Sequence, residues 1–482
     1  MSNPASAGDQ AKVRIQLTTR HADLGLPQDT GPLLVSTSLR RIQLSSLVNN
    51  ILSTPRPVPF EFLINGQFLR TSIDDFLTKN GISAETTLTV EYVRALIPPT
   101  YVASFEHDDW VSSVDVLSAS SAAAGWANAD IPAGQEKILS ASFDGYLHMW
   151  DTSGQLVATS SPTSHGQHPI QSAKFLSPTK LVSAGDDCCV RIWNYSSPTS
   201  TDNPSAPASI TPSLELYGHH GAINTISVHA PTSRILSASS DHTLGLWSTQ
   251  KSSAPAAPSD LLPENSPSLT SSNKRRKISQ PSPTPPRRGP LSLLTGHTQQ
   301  VSSAVFAPTD SSVAYSASWD HSLKTWDLPT GTCVDTRTTA HPLYSLLALS
   351  GITLLAAGTS ARHITLIDPR TSARSIAALT LRGHSNAVVA LAQEPGSWYG
   401  LVSGSYDGSC RVWDIRSVRP GGAEIGGGQV GESVYRIGRE SLRGKREPVG
   451  GEGVRVFGVA WDREVGILSA GEDKRVQVNK GS

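Results

Sequence analysis

Cysteine is scarce in this chain: four in 482 residues (Cys188, Cys189, Cys333 and Cys410), with no C-x-x-C pair among them. That usage argues against a disulfide framework or a zinc ribbon and suits a reducing compartment. Neither sign of charge is in excess, since 40 Lys and Arg balance 40 Asp and Glu. No global field therefore steers the chain to nucleic acid or to an anionic membrane. Long apolar runs are missing too: the most apolar stretch, Leu343 to Gly358, is too short and too broken by Ser and Gly to span a bilayer. The opening MSNPASAGDQ has neither a basic n-region nor an apolar core, so it does not read as a secretory signal. A soluble intracellular protein of more than one domain is expected.

What the chain does have is one pattern written seven times. ILSASFDGYLHMWD (Ile138 to Asp151) returns as LVSAGDDCCVRIWN (Leu181 to Asn194), ILSASSDHTLGLWS (Ile235 to Ser248) and AYSASWDHSLKTWD (Ala314 to Asp327). LAAGTSARHITLID (Leu355 to Asp368), LVSGSYDGSCRVWD (Leu401 to Asp414) and ILSAGEDKRVQVNK (Ile467 to Lys480) follow. Each reads as apolar strand, tight turn, alternating strand. Asp144, Asp187, Asp241, Asp320, Asp407 and Asp473 stand six residues before the Trp position, which Trp150, Trp193, Trp247, Trp326 and Trp413 fill. Ile367 and Asn479 replace the Trp in the fifth and seventh copies. Self-similarity at roughly 40–45 residues with a W-D ending predicts a seven-bladed WD-repeat β-propeller over 98–482. Gly-His-like pairs precede most copies (Gly218-His219, Gly296-His297, Ala340-His341, Gly383-His384), and His107 takes that place ahead of the first. The last copy ends without room for its own outer strand, so Tyr101 to Phe105 are expected to pair there and close the ring, removing its exposed edges.

Residues 12–94 lack the repeat, and 1–11 are expected to be a disordered N-terminus. Val13, Ile15 and Leu17 alternate as in a half-buried strand, and Leu33 to Thr37 can pair back on it. Leu44, Leu47, Val48, Ile51 and Leu52 fall on one helical face, which Pro55 to Pro59 are expected to stop. Phe60, Phe62 and Ile64 lead to Asn65-Gly66, a two-residue hairpin signal. Ser72-Ile73-Asp74-Asp75 opens a short helix ending near Gly81, and Leu88, Val90 and Tyr92 form the last strand. This order predicts a small α+β ubiquitin-like (β-grasp) domain, although another small α+β fold fits as well. Three segments are expected to be disordered insertions in the propeller: 196–213, 249–290 and the Gly-rich 417–452.

The propeller pattern accounts for most candidate catalytic residues. In a blade, the His, a strand Ser, the turn Asp and the Trp indole can hydrogen-bond together, as His219, Ser237, Asp241 and Trp247 would, and His297, Ser316, Asp320 and Trp326. His384, Asp407 and Trp413 repeat the pattern. A catalytic triad copied into nearly every blade makes no sense for an enzyme, so these groups are read as structural. Gly426, Gly428 and Gly431 match G-x-G-x-x-G, but without the strand and helix a dinucleotide site needs. The pairs His219-His220 and His165/His168 lack convergent partners at metal-ligand spacing. An interaction protein without a catalytic or cofactor site of its own is expected. Residues 249–290 hold seven basic and two acidic residues. Within them, Lys274, Arg275, Arg276 and Lys277 with Arg287 and Arg288 read as a nuclear-import signal or an RNA-contacting patch, a solvated charge run being the plainer alternative.

Beyond the repeat, four stretches carry a more specific resemblance. They are PVPFEFLINGQFLRTSIDDFL (Pro57 to Leu77), ALIPPTY (Ala95 to Tyr101) leading into SFEHDDWVSSVDV (Ser104 to Val116), the K-R-R-K segment ahead of PLSLL, and SARHITLIDPR (Ser360 to Arg370). With them the chain resembles, over essentially its whole length, the WD-repeat ribosome-biogenesis factors of the Ytm/WDR type, subunits of the PeBoW complex. The resemblance implies a non-catalytic assembly factor for the large (60S) subunit in the nucleus, nucleolus and nucleoplasm, acting in rRNA processing on the pre-60S particle. It implies a propeller docked on that of a Bop-type partner beside Pescadillo. It also implies a ubiquitin-like domain that engages midasin, an AAA-type ATPase, whose adhesion site holds a Mg²⁺ open to a ligand's acidic residue. Glu85, in GISAETT (Gly81 to Thr87), matches the family's metal-binding glutamate. By the residues alone it is a surface carboxylate. No membrane role is implied, and direct RNA contact stays open. The residues before the seventh copy look least like the family. An adaptor or substrate receptor in ubiquitin signalling is the alternative use of the same two domains.

Overall fold

A computed structural model of the protein describes residues 11–27, 30–54, 56–161, 165–197, 208–262, 285–371, 379–420, 428–445 and 448–481. The chain divides into two compact units: Met1–Pro98 with Ile415–Gly431, and Pro99–Asp414 with Glu432–Ser482. Among the described residues no helix is long and apolar enough to cross a membrane.

The first unit is α+β. Strand β1 (Lys12–Thr18) buries alternate residues Val13, Ile15 and Leu17 and pairs antiparallel with β2 (Leu33–Ser36). Helix α1 (Arg41–Leu52) turns Leu44 and Val48 into the core. It ends at Ser53 in the left-handed region (φ 49°), ahead of the prolines expected to stop it. β3 (Phe60–Ile64) and β4 (Gln67–Phe68) flank Asn65 and Gly66, whose φ values of 51° and 76° suit a two-residue hairpin turn. Helix α2 (Ile73–Asn80) starts at Ser72, whose Oγ accepts from Asp75 N at 3.2 Å, and stops at Gly81 with φ 63°. β5 (Leu88–Arg94) then lies parallel to β1 and antiparallel to β3, giving the sheet order β2-β1-β5-β3-β4 of a β-grasp. Glu61, 3% exposed, breaks the apolar rule for β3, and Arg41 (3.0 Å) and Arg70 (3.2 Å) compensate it. Also within this unit, Val418 N–H donates to Gly66 O at 2.8 Å.

The second unit is a WD-repeat propeller. Its strands fall into sets of four, hereafter blades, whose first strands begin at Val111, Ile170, Ile223, Val301, Leu343, Val388 and Val456. Each first strand packs on the next, and Val456–Asp462 packs on Val111–Leu117, which closes the ring. Side chains of these strands staple neighbouring blades: Ser112 Oγ donates to Ile170 O (2.5 Å), Asn224 Nδ2 to Val301 O (2.7 Å) and Ser302 Oγ to Leu343 O (2.7 Å). The last blade is completed by β6 (Pro99–Glu106), antiparallel to Arg475–Gly481 from the Glu106–Arg475 pair to the Pro99–Gly481 pair. The strand expected at Tyr101 to Phe105 is therefore present and longer at both ends.

The three insertions need correction. Of 196–213, residues 198–207 lie outside the described ones, but Ser209–Tyr217 is the outer strand of the second blade, held by buried Ile210, Leu214 and Leu216. Of 249–290, residues 263–284 lie outside. Arg287–Arg288 form a short parallel strand on that same edge, opposite Glu215 and Leu216. Residues 417–452 include parts of two long strands, Ser409–Pro420 and Gln429–Gly438, with 421–427 and 446–447 outside. The Gly-rich composition hid a ladder whose backbone hydrogen bonds need no particular side chains.

Candidate functional site

The turn Asp and strand Ser of most blades converge with the preceding His. In the third blade His219 contacts Asp241 Oδ2 through Nδ1 (2.9 Å) and Ser237 Oγ through Nε2 (2.7 Å), and Trp247 Nε1 donates to Ser237 Oγ at 2.7 Å. The indole can only donate and the carboxylate only accept. The chain of bonds therefore runs one way, from Trp N–H to Ser, Ser O–H to His Nε2, and His Nδ1–H to Asp. His297, Ser316, Asp320 and Trp326 repeat it in the fourth blade. His384, Ser403, Asp407 and Trp413 do so in the sixth. The second blade uses His165, with Asp187 at 3.0 Å, Ser183 at 2.7 Å and Trp193. Sequence reading examined His165 as a metal ligand and missed this role. The signal was its 18-residue spacing to Ser183, the same as His219 to Ser237.

Three blades depart. In the first, His107 and Trp150 meet on Ser140 (2.8 Å each), but Asp144 instead receives Tyr146 N (2.8 Å) and faces His148 at 3.6 Å. In the fifth, with Ala361 and Ile367, the described residues form no such set, and the His341 ring packs against that of His363. The seventh replaces His with Arg439, buried at 4% exposure. Its Nη1 donates to Ser469 Oγ (2.7 Å), its Nε to Asp473 Oδ2 (3.0 Å) and its Nη2 to Asp473 and to Arg475 O (2.8 Å). Asn479, at the Trp position, accepts from Gln477 Nε2 at 2.8 Å. Nothing local to the repeat announced Arg439, because it stands 30 residues before Ser469.

These sets are sealed. Ser140, Ser183, Ser237, Ser316 and Ser403 are all fully buried, so none of their hydroxyls can reach a substrate. Burial also raises the thiols of Cys189 and Cys410, to about 12 and about 11, which keeps both protonated and unreactive. Among the described residues no group of three or more His, Cys, Asp or Glu is arranged to hold a metal.

The same burial makes the propeller acid-sensitive. Burial, helped by neighbouring His148, presses His107 down to about 4, and burial lowers His165, His297 and His384. Burial alone would raise Asp320, but hydrogen bonds from Ser322, Thr298 N and His297 outweigh it and hold the carboxyl at about 2. Histidines whose folded pKa lies below the unfolded value near 6.5 contribute stability that is complete above that value. It is lost as the pH falls through it toward the folded pKa. Asp320 contributes stability above its unfolded pKa that goes as the pH falls through about 2. The melting temperature of the propeller is expected to be level above pH 7 and to fall steadily from pH 6.5 to 4, and His107→Gln should flatten part of that slope. A full shift to about 4 corresponds to about 3 kcal/mol. A melting temperature constant from pH 7 to 4.5 would contradict this account.

Glu85 lies in the turn between α2 and β5 and is exposed. Ser83 shapes that turn: its carbonyl accepts from Thr86 Oγ1 (2.8 Å) and its hydroxyl from Glu85 N (3.3 Å). Among the described residues the Glu85 carboxylate makes no hydrogen bond or ion pair. Lys274, Arg275, Arg276 and Lys277 lie outside the described residues. Arg287 is half-buried, pairing with Glu215 Oε2 (3.3 Å) over the Tyr217 ring, and Arg288 Nε donates to Lys251 O (3.2 Å). Both belong to the blade edge.

Comparison with known proteins agrees with this architecture. The family model described as "NLE (NUC135) domain" matches residues 13–77, and "WD domain, G-beta repeat" matches 154–194, 210–248, 288–327 and 377–414. Those four matches end on copies that keep both Asp and Trp. The chain is 62% identical over 486 aligned positions to the ribosome biogenesis protein ytm1 of Aspergillus oryzae, spanning 100% of this chain and 97% of that one. It is 60% identical to that of Aspergillus terreus (100% and 98%) and 60% identical to that of Neosartorya fischeri (99% and 96%). Among solved structures, the WD40 beta propeller domain of Doa1 aligns with a TM-score of 0.52 at 18% identity, over 80% of this chain and 97% of that one. At that identity the likeness concerns the fold alone.

Proposed function

Because the chain belongs to the Ytm1 family of ribosome biogenesis proteins, and is itself a ribosome biogenesis factor, we propose that it serves 60S assembly as a non-catalytic scaffold of a PeBoW-type complex. In this reading the propeller binds a Bop-type propeller beside Pescadillo on the pre-60S particle, in the nucleolus and nucleoplasm. The run from Lys274 to Lys277 acts as the import signal. The observation that carries the reading is identity near 60% from end to end, through both units. Affinity purification of the tagged chain tests it: pre-60S factors and the PeBoW partners are expected. Recovery of a ubiquitin ligase or the proteasome instead would move the chain to ubiquitin signalling.

The ubiquitin-like domain docks on midasin through Glu85. Mg²⁺ takes hard oxygen ligands in near-octahedral geometry, and an exposed carboxylate with no bond of its own can complete such a shell in the partner without first breaking a contact. This supports Glu85 as a ligand in trans; the chain needs no cofactor of its own. Glu85→Ala and Glu85→Gln are expected to abolish pull-down of the purified midasin adhesion domain, as is chelation of Mg²⁺. Glu85→Asp should be nearly as harmful through lost reach. Thermal stability and binding of the propeller partner should not change. Equal recovery by Glu85→Ala and the unaltered chain in Mg²⁺ would remove Glu85 from the metal.

A further inference from the structure

Strand β3 (Phe60–Ile64) is buried at all five positions, whereas β1 alternates exposed and buried residues. An antiparallel sheet solvated on one face alternates; a strand buried throughout has both faces covered. In this unit one face is accounted for. Helices α1 and α2, with Leu24 and Leu26 of the β1–β2 connection, pack on Phe60, Phe62, Ile64, Val90 and Tyr92 in a single core. Leu63 and Val93 stand at the alternate positions of β3 and β5, so they face the other way. They lie outside that core, yet they are 2% and 1% exposed. On the same second face Arg14 and Leu34, opposite each other on β1 and β2, are open to solvent, Leu34 at 61%. Only the β3–β5 half of this face is covered.

The segment 415–431 belongs to this unit, although it stands between the sixth and seventh copies of the repeat. Its Ile415 and Val430 are buried, and neither is part of the core just described. Val418 N–H donates to Gly66 O at 2.8 Å, which fixes the segment beside the turn that follows β3. The approach is close: a Cβ on Gly66 would lie 3.3 Å from Val418 O and 3.4 Å from Val418 Cγ2.

We propose that the second face of the ubiquitin-like sheet is an interaction surface whose resident occupant is 415–431, an autoinhibitory cover supplied by the chain itself. Bared, Leu63 and Val93 would form an apolar patch, and such patches bind other proteins. What the patch takes is shown by its occupant: the apolar side chains of an extended segment, since 415–420 are in a strand. A receptor that grips a ubiquitin-like domain by an open sheet face would meet this segment instead. The domain is then left to dock by its loops and edges. The proposal stands on burial and strand register, and is independent of the Glu85 reading.

The test reads thiol accessibility in the full chain, by maleimide labelling mapped to each peptide by mass. Three single variants are compared: Val93→Cys under the cover, Leu34→Cys on the open half and Val13→Cys in the core. Each is made in the unaltered chain and in one whose 415–431 is replaced by Asn-Gly, a two-residue turn joining Asp414 to Glu432. Val93→Cys is expected to label at least tenfold more slowly than Leu34→Cys in the first background, and within threefold of it in the second. Val13→Cys should stay unreactive in both. The second background should also bind an apolar dye several-fold more strongly. The proposal is overturned if Val93→Cys labels as fast as Leu34→Cys with 415–431 in place, or stays slow without it. Labelling of Val13→Cys after the replacement would make 415–431 part of the domain's fold and not a cover, which also overturns it. So would the absence of any gain in dye binding. A dimer of the unaltered chain that the replacement turns into monomers would seat the segment on a second copy, and a cover within one chain would be ruled out.

Discussion

Arg439→Ala is expected to lower the melting temperature of the full chain by roughly 10 °C, because removing one partner of a buried ion pair costs about 3–5 kcal/mol in a protein of this size. The side chains of Arg439 and Asp473 are 1% and 7% exposed. The substitution leaves that carboxylate with Ser441 (2.7 Å) as its remaining side-chain donor, and takes away the donor to Ser469 Oγ. Arg439 stands in for both missing members of the regular set, the His and the Trp. Asp473→Asn added to Arg439→Ala should therefore recover part of the loss, since it removes the unpaired charge. Arg439→Lys should fall between, as an ammonium cannot reach Ser469, Asp473 and Arg475 O with a planar fork. Thermal melts of the single and double variants form the cycle that checks this. A change under 2 °C for Arg439→Ala would mean that the seventh blade is held by its strand ladder alone.

The second large effect concerns ring closure. A chain beginning at Asp109 lacks β6 and is expected to aggregate, or to melt far below one beginning at Ala95. The lost strand pairs with Arg475–Gly481 along its length and places Phe105, 3% exposed, against Trp150 with ring planes 15° apart. Its removal opens an unpaired edge that can template association. Phe105→Ala isolates the packing share and should cost about 3–5 kcal/mol. Size-exclusion profiles and melts of both truncations decide it, and equal melting temperatures would show that the closing strand adds nothing.

Much of this protein is local in the chain, and the sequence alone determined that part. Ser72 and Gly81 bound α2, and Asn65-Gly66 turns the β3–β4 hairpin, because caps and turns depend on a few adjacent residues. The repeated Ser, Asp and Trp positions sit within one hairpin, so their convergence in the third, fourth and sixth blades follows from spacing. The closing strand was legible because the ends of the pattern do not match. Tertiary structure decided the rest. Arg439 answers Asp473 across an insertion that breaks the repeat spacing, and Glu61 is tolerable only because Arg41 and Arg70 reach it. Composition marked 417–452 as disordered, yet much of it pairs as strand, since a ladder is made by backbone groups that composition does not report. The ring contacts that link neighbouring blades are the extreme case. Phe143, Trp319 and Tyr406 each precede a turn Asp and look like incidental variation in separate copies; only closing the ring brings Phe143 of the first blade against Phe457 of the last.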